Sequence, residues 1–386
     1  MHFAIRQGLA LTARSAAFVL MTAIAGVSTL PAVGNAASRS DLLSTQDERH
    51  YRDAFRWAAR NNWVMAARQA HKARNKLPAK VLRWMELSRH GNSASFDDIV
   101  AFIDANPDWP YPNLLERRAE EAIDENTPHD VALRWFSRHP PITGDGMTAY
   151  GEALIAKGER QAGEAMLRKA WIAGRFNRRS SRLFLKQYGK LFSKDDHWAR
   201  LDNLLWQGRH QEATRMMRRV DPDRAALARA RMRLRRFQGG VDWALQQVPE
   251  TLQNHPGLLC ERLRWRVRKN RDNDALEILG SAPADMVRPD LWAKERMRLA
   301  RRLLADGRVT DAWRAIKDHG VTTRHRAQFA EAEWLAGWIA LRYLKENREA
   351  LRRFSRLYDE VRFPVSRSRA AYWAGRAAQA GGNRRL

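Results

Sequence analysis

The chain has 386 residues, 44% of them hydrophobic and 29% charged, with 69 Lys and Arg against 43 Asp and Glu. That mixture excludes a disordered chain and is enough for a large core or a long array of repeats. The single cysteine, Cys260, excludes an internal disulfide, and its neighbours Leu258 and Leu259 predict burial, not reactivity.

Residues 1–36 differ from the rest. Arg6 and Arg14 precede an almost unbroken apolar run from Ala16 to Leu30, followed by the small residues Gly34, Ala36 and Ala37. This order predicts a cleavable signal peptide over 1–36 and export of the protein. Roughly 15 apolar residues fall short of the ~20 of a spanning helix, so no stable membrane span is expected. Cleavage removes only Arg6 and Arg14 from the basic excess. In an exported protein that excess meets peptidoglycan carboxylates and anionic lipid head groups, and nucleic acid is not an expected partner. The same charge also suits a solvated, arginine-rich helix surface.

Residues 37–46 read as a polar linker and 47–386 as one α-superhelical domain. No alternating β-branched run bounded by hairpin turns occurs, so strands are not expected. Helical sequence near Tyr51 ends at Asn61-Asn62 and returns from Trp63 to Ala73; Pro78 opens a helix through Leu87. Phe96 to Ala105 is a short helix. The proline-rich stretch Asn106 to Pro112 is a stiff connector whose Trp109 is expected to fill a gap between helices. A longer connector, His139 to Gly146, is expected to divide the N-terminal section from more regular repeats.

One spacing recurs: a turn residue, then a small residue five positions later. It occurs at Asn61/Ala66, Gly158/Gly163, Gly208/Ala213, Gly239/Ala244, Asn270/Ala275, Gly307/Ala312 and Lys345/Ala350. The turn residue supplies a left-handed cap, and the small one lets the returning helix come close. Such hairpins stack because one alone cannot bury its apolar face. The expected fold is all-α, a tetratricopeptide-like helical-hairpin superhelix forming a U-shaped or ring solenoid. An offset of 38 residues relates Trp334-Leu335-Ala336-Gly337 to Tyr372-Trp373-Ala374-Gly375, Ala312 to Ala350, and Ile316 to Phe354. Ser366 is expected to cap the last helix. By the same offset the next small residue would fall just beyond Leu386, so the chain reads as cut off inside a repeat.

Three stretches carry a family resemblance. They are Phe329-Ala330-Glu331-Ala332-Glu333-Trp334-Leu335-Ala336-Gly337-Trp338-Ile339-Ala340-Leu341, Ser368-Arg369-Ala370-Ala371-Tyr372-Trp373-Ala374-Gly375-Arg376-Ala377-Ala378, and Leu201-Asp202-Asn203-Leu204-Leu205-Trp206-Gln207-Gly208 with Ala213. From about Tyr51 onward the chain resembles the N-terminal superhelical part of the soluble lytic murein transglycosylases. Asn106-Pro107-Asp108-Trp109-Pro110 is similar to that family's early connector. The resemblance implies a periplasmic protein of peptidoglycan turnover. In the family, a lysozyme-like domain follows the superhelix and cleaves the β-1,4 bond between N-acetylmuramic acid and N-acetylglucosamine, leaving a 1,6-anhydro product. A glutamate marked by a Glu-Ser pair performs that chemistry without metal or cofactor. No Glu-Ser dipeptide occurs in this chain, so whether it is an enzyme stays open and no catalytic, cofactor-binding or metal-binding residue is assigned. The expectation is a scaffold inactive on its own, with peptidoglycan glycan strands as partner. The alternative is a periplasmic interaction scaffold for other envelope proteins.

Other candidate chemistry is weak. Glu120/Glu121 and Glu331/Glu333 point to different sides of their helices and read as solvated or salt-bridged. His319 and His325 lack metal-ligand spacing, and Ser180-Ser181 lacks a nucleophile context. The 15 tryptophans, among them Trp57, Trp84, Trp135, Trp206, Trp265, Trp313, Trp334 and Trp338, suit helix packing better than sugar stacking. Two arginine clusters remain, Arg178/Arg179/Arg182 and Arg229/Arg231/Arg233/Arg235/Arg236. They could hold anionic strands or simply be solvated.

Overall fold

A computed structural model describes residues 43–283 and 286–382. The expected signal peptide and most of the expected linker lie outside the described residues. Among these residues every regular element is helical: 20 α-helices, four short 3-10 turns and one π-helical segment, with no strand. Contacts divide the chain between Asn92 and Ser93 into two units.

The first unit holds α1 (Thr45–Ala59), α2 (Trp63–His71) and α3 (Leu77–Leu87). Helix α1 begins inside the stretch read as linker, because Ser44 accepts the N–H of Asp47 and caps it. Asp47 is itself buried and accepts the N–H groups of Arg74 (2.8 Å) and Asn75 (3.1 Å). Those bonds hold its carboxyl below the ordinary range. Tyr51 donates to the Asn75 carbonyl, so the first turns of α1 fix the link into α3. Tyr51, Ala54, Ala58, Ala66, Ala70 and Leu82 form the core between these helices.

The second unit opens with α4 (Phe96–Asp104), α5 (Pro112–Ala122), α6 (His129–Arg138), α7 (Gly144–Ala156), α8 (Arg160–Ala173) and α9 (Arg178–Tyr188). It continues with α10 (Lys194–Gln207), α11 (His210–Met216), α12 (Pro222–Arg235), α13 (Val241–Gln246), α14 (Pro256–Arg268) and α15 (Asp272–Gly280). The last five are α16 (Pro289–Ala305), α17 (Val309–Ile316), α18 (Arg326–Ile339), α19 (Asn347–Glu360) and α20 (Pro364–Ala380). Within the second unit many consecutive helices pack on each other, among them α4 and α5, α6 through α8, and α16 through α20. From α8 onward the longer helices α8, α10, α12, α14, α16, α18 and α20 also touch in succession, each meeting the next.

The recurrent turn has a common geometry. At Asn61, Gly158, Gly208, Asn270 and Gly307 the residue has positive φ. Its N–H reaches the carbonyl three residues back, and the following N–H reaches five back, as in Gly208 to Leu205 and Arg209 to Leu204. This is the Schellman closure. The small residue is then the first to donate to the N-cap carbonyl of the next helix, and every one of them is buried. At Gly163 a Cβ would lie 2.5 Å from the Gly151 carbonyl oxygen, so the α7–α8 hairpin requires the bare backbone.

Several expected boundaries move. In the Gly239/Ala244 pair the left-handed cap is Phe237 (φ 54°), and Gly240 starts the next helix, so two residues are inserted into that turn. At Lys345 the closure widens: residues 340–344 are π-helical, and the N–H of Glu346 reaches the Ala340 carbonyl. The His139–Gly146 stretch is no divide. Thr143 caps α7 from Gly144, and α5 packs on α7 across the connector. The last helix starts at Pro364, with Phe363 at its cap, instead of at Ser366. The repeated Trp/Tyr-Ala-Gly motif also diverges in packing. A Cβ on Gly337 would press on Phe354 at 2.8 Å, whereas one on Gly375 would meet nothing within 4 Å.

Candidate functional site

The paired glutamates separate as their spacing predicts, but their partners are more specific than solvent. Glu120 is buried and accepts the N–H groups of Ile142 (2.8 Å) and Thr143 (2.7 Å). Burial raises its pKa, against these hydrogen bonds. It fastens the connector into α7, and Gly146 is needed beside it because a Cβ there would sit 2.3 Å from the carboxylate. Glu121 pairs with Arg118 on the same helix. Glu331 meets Arg369 (2.9 Å) and Arg301 (3.5 Å).

Glu333 turns inward and is 0% exposed. Its carboxylate lies 2.7 Å from Arg356 and 3.3 Å from both Arg353 and His319. Burial would raise its pKa, yet His319 and the two guanidinium groups hold it below the ordinary value. His319 Nδ1 accepts the N–H of Val321, which places the proton on Nε2 facing Glu333. The site is a buried charge cluster, with no water-facing acid. His325 closes a turn with Thr322, apart from His319. No group of three or more His, Cys, Asp or Glu among the described residues could hold a metal ion. Ser180 lies in the first turn of α9 and donates to the Asn177 carbonyl. Cys260 is buried, which raises its thiol pKa.

The tryptophans divide unevenly. Trp135, Trp171, Trp206 and Trp292 are buried; Trp334 stacks on Trp338 with centroids 5.8 Å apart; and Trp109 meets Phe102 edge-on at 5.6 Å. Trp243 is the exception at 57% exposed. It lies on the six-residue helix α13, whose shortness leaves its outer side uncovered, and nothing in its sequence neighbourhood sets it apart from the packed tryptophans. In the first unit a hollow of about 180 Å³ is walled by Ala66, Ala70, Leu82 and Trp63. The charged groups at its edge, Arg83 and Glu86, are already paired at 2.8 Å.

The arginine clusters carry the clearest result, because they behave in opposite ways. In the cluster on α12, Arg231 is 1% exposed and pairs with Asp202 of α10, while Arg235 meets Glu261 of α14 at 2.7 Å. Arg233 donates to the Gly239 carbonyl, and only Arg229 and Arg236 are exposed. Similar links tie other neighbouring helices. Arg224 meets Asp195 (2.7 Å), Arg302 meets Asp272, and Arg264 approaches Glu295 (3.9 Å). Buried arginines also clamp helix ends, where carbonyls lack partners and the dipole favours a cation. Arg200 donates to the carbonyls of Trp171 and Gly174 with its guanidinium 4.2 Å from the Trp171 ring centroid. Arg296 donates to Ala315 at 3.0 Å. Burial lowers the pKa of both to about 10.

The cluster on α9 has none of this. Arg175, Arg178, Arg179, Arg182, Lys186, Lys190 and Lys194 are all exposed, and no acidic residue lies between Gly174 and Asp195. None of the seven makes a side-chain ion pair or hydrogen bond among the described residues. The opposite face of α9 is packed: Phe184 is buried against Trp171, and the Tyr188 hydroxyl donates to Glu152. This segment is the surface best able to take an anion. No helix among the described residues is long and apolar enough to cross a membrane. No protein-family model matches the chain, and no curated protein matches it.

Proposed function

We propose that this chain is the superhelical scaffold part of a periplasmic, lytic-transglycosylase-like protein that acts in peptidoglycan turnover. The observation that carries the reading is the repeated helical hairpin, closed by the same cap and packed through the same small residue. Helices joined in this way curl into a tetratricopeptide-like arch. In this reading the arch positions a glycan strand, and the bond-breaking glutamate belongs to a lysozyme-like domain. The chain alone leaves glycan strands intact, consistent with the missing Glu-Ser pair and with a buried, ion-paired Glu333. The test is incubation of the purified chain with sacculi. Salt-sensitive retention without release of 1,6-anhydro-muropeptides is expected. Release of that product, or no retention at any salt, overturns the reading.

A second reading, a docking scaffold for other envelope proteins, is favoured by large apolar side chains left exposed. Tyr111, Trp243, Phe363 and Tyr372 are examples. Cross-linked protein partners that are lost on Trp243→Ala, with no sacculus retention, would select it.

A further inference from the structure

Helix α9 opens on two adjacent cations with no acid to offset them. Arg178 and Arg179 are the first two residues of the helix, where the partial positive charge of the free N–H groups disfavours cations, and its first turn holds no acid. Asn177 alone caps it, accepting the N–H groups of Arg179 (2.8 Å) and Ser180 (2.9 Å). The next helix, α10, opens with a Ser193–Asp196 capping box and has Asp195 beside it. Since the cations of α9 satisfy nothing inside the protein, their cost to the fold points to a role outside it.

The pattern on the helix narrows that role. At 100° per residue, Arg178, Arg179, Arg182, Leu183 and Lys186 fall on one side. Leu183 is 56% exposed among them. Phe184, Leu185 and Tyr188 occupy the other side and face the core. Glycan strands and nucleic acid would satisfy the cations but give Leu183 nothing to bury against. Single-stranded nucleic acid is gripped by exposed aromatic rings as well, and this face has none. A bilayer of anionic lipid offers both parts: head-group phosphates for the guanidinium groups and an acyl boundary for the leucine.

We propose that the exposed face of α9 docks the protein on an anionic lipid surface, lying in the interface without spanning it. The proposal is independent of the peptidoglycan reading. Each cation near such a surface strengthens binding about five-fold, so three together are worth about a hundred-fold.

Flotation of the full chain with vesicles of phosphatidylcholine, alone or mixed with phosphatidylglycerol, tests it. Binding is expected only to the mixed vesicles and should weaken as salt rises, a readout that requires no variant. The triple change R178E/R179E/R182E should lower it by at least about a hundred-fold, and R229E/R236E, the two exposed cations of the α12 cluster away from this face, far less. Leu183→Ser should weaken it by about ten-fold, while Leu183→Met should leave it unchanged. Equal binding to neutral vesicles, indifference to salt, or indifference to either the triple change or Leu183→Ser overturns the proposal. So does binding through this face to RNA or sacculi while mixed vesicles are ignored.

Discussion

Two arginine-rich regions of one unit use the same side chain for opposite ends. On α12, α16 and α19, Arg231, Arg296 and Arg353 turn inward, reach the carboxylates or terminal carbonyls of other helices, and become part of the packing. On α9 they turn outward and meet nothing. The difference lies in the partners. Asp202, Glu261 and Glu333 sit on adjoining helices within reach of α12 and α19, whereas the stretch around α9 carries no acid and its core contacts are aromatic. Composition therefore says little about what an arginine does; the sign and depth of its surroundings decide it.

The comparison breaks most sharply at Glu333. Replacing it by Ala removes the buried carboxylate that faces Arg353, Arg356 and His319, leaving Arg353 only the Glu349 carboxylate at the edge of the cluster, and denaturant titration should show a loss of about 3 kcal/mol. The same change made to an exposed cation of α9 should cost nothing of that size.

Acid probes the buried side of the comparison. Burial, with Arg231 nearby and despite Asp202, pushes His255 down to about 4. An unfolded histidine takes its proton near 6.5. The unfolded chain therefore binds more protons between these values, and stability falls as pH drops from about 6.5 to 4, by roughly 3 kcal/mol at most. His197 and His210 are lowered as well and add to the same slope. Glu120, whose pKa is raised, works in the opposite direction. Thermal melts across that window should show the fall, and His255→Gln should flatten part of it.

Gly257→Ala sharpens the role of Arg231. The added Cβ would stand 2.2 Å from its guanidinium carbon, so the buried pair with Asp202 must shift. A loss of about 1–3 kcal/mol is expected from denaturant titration. The smallest effect runs the other way. Arg178→Asp or Arg179→Asp places an acid at a helix start and should raise stability by about 0.3–1 kcal/mol each. A gain in melting temperature together with a loss of vesicle binding would separate the two regions most clearly.

Much of the local structure was legible before any packing was known. The five-residue spacing located most of the hairpin turns, and Ala213, Ala275, Ala312 and Ala350 are buried as that spacing requires. It failed at Phe237, because a left-handed cap on an aromatic residue, unlike the caps at Asn61 and Asn270, has no composition signal. The end of the expected His139–Gly146 connector, Gly144-Asp145-Gly146, is helical, since Gly146 is there to make room for Glu120. Of the candidate site, the α9 cluster could be seen in sequence as a run of cations without acids. That the α12 cluster is mostly internal could not, because Asp202 and Glu261 lie about thirty residues away on other helices.

The sequence by itself determined that the regular elements among the described residues are helical, where most helices turn, and which small residues let them meet, because caps and spacing act over a few neighbouring residues. Only the tertiary structure decided which charges are consumed and which are left over. Pairing depends on distance across helices and on burial, and neither is written in the order of residues along one of them.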